Sequence, residues 1–129
     1  MKASLSSKGI EEYLEALAQA DGDVDQAAKK SLSAGAEVAL EGMERRVAVL
    51  TGNLKSKLKV GEPEQDGNVI SIDIGLLDDT DEETARYGNV QEFGSSTMPA
   101  HPYIRPTMAE DKFKITAAMR KSLEEQEIL

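Results

Sequence analysis

From Gly9 to Ala20, apolar side chains recur at Ile10, Tyr13, Leu14, Leu17 and Ala18, the spacing of a short amphipathic helix. Asp21 and Gly22 end it. Asp23 then stands where it can N-cap a second helix, with Gln26 three residues on to complete a capping box. That second helix is the clearest pattern in the chain. Val24, Ala28, Leu32, Ala36, Ala39, Met43, Val47 and Leu50 follow one another in steps of three or four and fall on one stripe. Lys29, Lys30, Glu37, Glu41, Glu44 and Arg45 take the opposite face. Gly35 and Gly42 each weaken the helix by roughly 1 kcal/mol relative to Ala. Both are small enough to admit another backbone, which reads as helix packing ahead of a dedicated subunit contact.

The period then changes. Thr51-Gly52-Asn53 interrupts the helix, and Thr51 is placed to cap a short turn through Asn53, Leu54 and Lys55. Leu58 and Val60 alternate with lysines as an edge strand, Gly61 to Gly67 reads as a turn, and Val69, Ile70, Ile72 and Ile74 form a strand ending at Gly75. The two runs make an antiparallel hairpin with lysines guarding one face or edge. Asp78 to Glu83 is an acidic loop that doubles as a helix start. Thr84 to Phe93 is helical and brings Tyr87, Val90 and Gln91 together, Gly94 stops it, and Gly94 to Pro102 is an irregular loop. From Tyr103 or Pro106 a last helix carries Ile104, Met108, Ile115, Met119 and Ser122 or Leu123 on one side. Glu124, Glu125 and Glu127 are the wrong charge for a helix C-terminus, so that end is expected to fray or to dock on something basic. The polar lead-in, Met1 to Lys8, is expected to be loose. The whole reads as α+β: long amphipathic helices on a small antiparallel sheet, one domain over 1–129, flexible at 1–8 and frayed at 124–129.

Composition sharpens this. With two Phe, three Tyr and no Trp among 129 residues, the core is built from Ala, Val, Leu, Ile and Met, and neighbouring subunits would help to bury what one copy cannot. Twenty-four acidic residues against 15 basic ones give a net charge of −9, which argues against a specific nucleic-acid reader while leaving room for a chain that lines a DNA passage without gripping it. The absence of cysteine excludes disulfides, thiol nucleophiles and Cys-based zinc sites. Ser4, Ser6, Ser7, Lys8 and Glu11 break up any signal-peptide core, and no run approaches the roughly 18 apolar residues of a membrane span. The expectation is a soluble chain without membrane contact, cytoplasmic when made.

Candidate chemistry is thin. Asp21-x-Asp23-x-Asp25 opens like a calcium loop, but the sixth and twelfth positions hold Gln26 and Leu32 where Gly and a carboxylate are needed, so a capped helix start is the better account. The Asp78–Glu83 run reads as a solvated loop in preference to a weak divalent-ion site. His101 is the lone histidine, with no second His or Cys beside it, and Ser95 and Ser96 lie in no G-x-S-x-G elbow. Acidic residues are too abundant for a catalytic carboxylate pair to stand out, and no phosphate-binding glycine loop is present. No catalytic residue, metal or cofactor is expected. What remains is Tyr87 to Met108, which joins a helix end, a glycine stop, a polar loop and a Pro102-x-x-x-Pro106 restart. Glu92 and Arg105 flank that loop with opposite charge and are placed to pair across it.

At this stretch the chain resembles the small tail-completion or head–tail joining proteins of long-tailed phages. The resemblance runs through three signals: the long helix leading into Thr51, Gly52 and Leu54 with a basic strand after them; the strand ending at Gly75; and a block of Tyr87, Glu92, Phe93 and Gly94 followed by Pro99, Ala100, Pro102, Tyr103, Ile104, Arg105 and Pro106. It implies a non-enzymatic virion protein at the head–tail interface, working as a ring of copies, hexameric or related. The implied partners are itself, the tail tube or tail terminator, and the head connector. The rival reading is a small acidic regulator or antitoxin-like adaptor for a basic protein; a carboxylate-dependent hydrolase is a distant third.

Overall fold

In the computed structural model, which describes residues 1–19, 23–47 and 52–126, the Val69–Gly75 run is β4, the centre of a four-stranded antiparallel sheet. Its isoleucines, Ile70, Ile72 and Ile74, alternate with Ser71 and Asp73, so one face is buried and the other half-exposed. On one edge lies β1 (Lys2–Ser6), in register from Lys2 opposite Gly75 to Ser6 opposite Ser71. The lead-in expected to be loose is therefore an edge strand. Its signal was an alternation too short to stand out: Ala3 and Leu5 pack on the core while Lys2 and Ser4 face water.

On the other edge, β2 (Lys59–Val60) pairs with Gly75 and Ile74, and β3 (Glu64–Asp66) pairs with Ser71, Ile70 and Val69. Gly61 N–H donates to Asp73 O at 2.8 Å, so the two short strands are halves of one edge, interrupted at 61–63 where Pro63 lacks an N–H. The expected hairpin is present, but its turn is narrower than the Gly61–Gly67 expectation. Asp66 faces Val69, which leaves Gly67-Asn68 as the turn, with Gly67 at φ +64°.

A 3-10 turn (Ser7–Ile10) leads into α1 (Glu11–Gln19), and then comes α2 (Val24–Arg46). Asp23 caps α2 by accepting from Gln26 N–H at 3.0 Å. Ala28, Leu32, Ala36, Ala39, Met43 and Val47 of the stripe are buried, and α2 packs between β4 and the C-terminal helices. The two glycines serve packing inside the chain: a Cβ at Gly35 would lie 2.7 Å from Met119 Cγ, and one at Gly42 would lie 2.7 Å from Thr107 Cγ2.

The segment after Gly52 folds as α3 (Asn53–Lys57), and α4 (Glu82–Phe93) starts at Asp81, whose carboxylate accepts from Thr84 N–H at 3.0 Å. The single last helix expected from Tyr103 onward is two, α5 (Ile104–Glu110) and α6 (Lys112–Glu125). The break falls at Asp111, whose buried carboxylate receives Arg46 through both oxygens, at 2.8 and 3.1 Å, and Arg45 at 3.0 Å. Glu124 and Glu125 belong to the helix, against the expected fraying from 124. The Asp21-Gly22 stop, Leu50 at the foot of the stripe, the Thr51 cap and Glu127 lie outside the described residues.

Candidate assembly surface

Glu92 sits in the last turn of α4 with a fully buried side chain. One carboxylate oxygen accepts from Tyr103 N–H at 3.0 Å and Ile104 N–H at 2.7 Å. The other accepts from Arg105 N–H at 3.1 Å and from Arg105 Nε at 2.8 Å. A helix leaves its first N–H groups without intrahelical partners. In α5 these belong to Tyr103, Ile104, Arg105 and residue 106, and Pro106 has none to satisfy. One carboxylate therefore completes the start of α5, and the Glu…Tyr-Ile-Arg-Pro spacing of the block acquires a physical reason. Burial pushes Glu92 toward the protonated form, but the Ile104 and Tyr103 N–H groups and the Arg105 side chain outweigh it and hold the carboxyl below its ordinary value.

The expected Glu92–Arg105 pair is present, with the carboxylate enclosed and the Arg105 side chain 59% exposed. Arg105 also donates to the Glu92 backbone carbonyl at 2.6 Å and lays its guanidinium 4.9 Å from the Phe93 ring centre. Tyr103 is buried beneath, its hydroxyl donating to Gly88 O at 3.3 Å. Burial, with the Glu92 charge behind it, pushes that phenol well above its usual range.

Between the two helices the chain makes a closed loop. Gly94 adopts φ +78°, and a Cβ there would lie 2.9 Å from Ala100 N, so the tight return admits only glycine. Ser95 N–H donates to Met98 O at 2.8 Å, Ser95 Oγ accepts from Met98 N–H at 3.1 Å, and His101 N–H donates to Gln91 O at 2.7 Å. The loop displays Phe93 (57% exposed) and Met98 (38%). Beside it, α3 and α4 leave an open groove of about 760 Å³ lined by Gly52, Leu54, Tyr87, Val90 and Met98. The Tyr87 hydroxyl and Gln91 Oε1 are enclosed without a hydrogen-bond partner among the described residues.

The motif residues thus divide into three groups. Leu54, Glu92, Tyr103 and Ile104 are interior; Phe93, Pro99 and Arg105 are exposed; Gly52, Tyr87, Gly94, Pro102 and Pro106 lie between. Residues read as candidate chemistry do other work. Asp78 pairs with Lys2, Asp79 with Lys59, and Asp81 caps α4; no group of three His, Cys, Asp or Glu side chains comes together among the described residues. The Arg46–Asp111 network carried no sequence signal, because its members lie 65 residues apart. The Arg46 guanidinium, helped by Arg45, holds Asp111 down to about 2.

In comparison with protein families, residues 8–94 match a family described as "Bacteriophage HK97-gp10, putative tail-component". The matched span takes in Thr51, Gly52, Leu54, Tyr87 and Glu92 to Gly94, and it ends before the Pro99–Pro106 part of the block. Comparison with curated proteins and with solved structures gives no match.

Proposed function

The chain belongs to the HK97-gp10-like family of phage tail components, and from that premise we propose that it completes the tail end and joins it to the head connector as a ring of copies. The observation that supports this reading is the Glu92 clamp. A buried carboxylate with four donors holds two helix ends rigidly and presents, between them, an ordered loop bearing exposed Phe93 and Met98 beside an apolar groove. A surface fixed before contact loses little entropy on docking, which suits a protein whose task is to be gripped by neighbours. The interior motif residues hold the surface and the exposed ones meet the partner.

The test is deletion of the coding sequence in the phage that carries it, followed by electron microscopy of the lysate. Full heads and finished tails that remain separate are expected. Infectious, joined particles would remove the role.

A further inference from the structure

The outward face of α6 departs from the rest of the surface. Residues 112–121 carry four of the chain's fifteen basic residues and no acidic one, in a protein of net charge −9. Ile115, Met119 and Leu123 take the inward side of the helix, and Lys112, Phe113, Thr116, Ala117, Arg120 and Lys121 take the other, with Glu124 at its C-terminal end and Lys121 paired to Glu125 at 3.8 Å. Phe113 stands 85% exposed, the most exposed large apolar side chain among the described residues. Thr116 and Ala117, one turn on, are small, so the ring projects above a shallow notch. Lys112 has no acidic partner among the described residues.

A complementary surface lies on the sheet edge. A groove of about 420 Å³ beside β2 is lined by Glu62, Glu64, Asp73, Asp78 and Asp79 against two lysines, with Val60 and Leu77 as its apolar lining. Lys2 engages Asp73 and Asp78, and Lys59 engages Asp79, which leaves Glu62 and Glu64 without cationic partners among the described residues. The groove and the α6 face share no residue.

We propose that the α6 face of one copy docks in the β2-edge groove of the next, with Phe113 against Val60 and Leu77 and the flanking lysines opposite Glu62 and Glu64. This deepens the ring reading above and rests on it for its biological setting. Two different, complementary patches that share no residue allow a head-to-tail contact, which closes into a ring or runs on as a filament. An apolar anchor within opposite charges supplies both a buried centre and a register. Elsewhere the acidic surface keeps copies apart, so the contact is directional.

The absence of cysteine allows a clean test. An Ala117→Cys, Glu62→Cys double variant of the full chain, which keeps Phe113 and Glu64 in place, is expected on mild oxidation to give a ladder of linked copies, dimer, trimer and upward. A Lys30→Cys, Glu62→Cys control, with its first thiol on the exposed side of α2, is expected to stay largely monomeric. Because exposed charges are screened by salt, the ladder should weaken about tenfold between roughly 0.05 and 0.5 M salt. In a mixture of Phe113→Asp, Glu62→Cys chains with Ala117→Cys chains, the linked heterodimer should still form, since the first chain keeps its groove and the second its Phe113 face, whereas Phe113→Asp in the Ala117→Cys chain should abolish it. A ladder no stronger than the control overturns the contact, as does retention of the unmodified chain on duplex DNA without a ladder, which assigns the face to phosphate. The two readings fail separately: a ladder from a chain whose deletion leaves particles joined removes only the tail role, and unjoined particles without a ladder remove only this contact.

Discussion

The Glu92 carboxylate, with four donors, ties the end of α4 to the start of α5. Removing it strands three N–H groups and a guanidinium, so Glu92→Ala is expected to cost on the order of 3 kcal/mol or more. Arg105→Ala, which removes a largely exposed partner, should cost about 1 kcal/mol, and Lys112→Ala close to nothing. Thermal melts of the three variants should fall in that order, and equal values for Arg105→Ala and Lys112→Ala would count against the pairing. Tyr87 should behave in the opposite sense. Its enclosed hydroxyl has no partner among the described residues, so Tyr87→Phe is expected to leave stability unchanged or raise it by about 1 kcal/mol; a clear loss would mean the hydroxyl is bonded. Asp111 gives a pH signature. Its carboxyl titrates at about 2 in the fold against an ordinary value of 3.8. The unfolded chain therefore binds more protons between those values, and the stabilisation, complete above about pH 4, is lost as pH falls toward 2. Asp111→Asn should flatten the acid limb of a stability-against-pH curve while leaving the Glu92 contribution in place; an unchanged slope would contradict the Arg46–Asp111 assignment.

Among the elements, those with a strong local period were legible in the sequence. The α2 stripe, the β4 isoleucines, the Asp23 cap, the helix start within Asp78–Glu83 and the Gly94 stop all follow from neighbours within a turn or two. What was hidden depended on distant partners. The β1 strand is too short and polar to announce itself without β4 beside it, and the Asp111 break exists because arginines 65 and 66 residues earlier capture its carboxylate. The block from Tyr87 to Pro106 was legible as a motif, but whether its members face inward or outward was not, since Glu92 and Arg105 differ in burial and not in spacing. Gly42 shows how packing overrides propensity. Alanine should favour the helix by roughly 1 kcal/mol, yet its Cβ would press on Thr107 and Asp111. Gly42→Ala is accordingly expected to destabilise by about 1–3 kcal/mol, and a raised melting temperature would show that α5 gives way freely.

At the scale of the molecule, an aromatic-poor core and an acidic surface suit a component that functions by contact. The fold supports that use by separating tasks: the sheet and α2 supply the mass of the core, while the clamped 92–106 segment presents Phe93 and Met98 at the surface. The measurement that tests this most directly is electron microscopy of the deletion phage supplied with a Phe93→Asp, Met98→Asp chain. Both side chains are exposed, so the variant should melt close to the unmodified protein. Joined particles are expected to fall about tenfold or more, the loss of at least about 1.4 kcal/mol of docking free energy. Joining at the unmodified level, from a folded variant, would contradict the claim that this loop is where the chain is held.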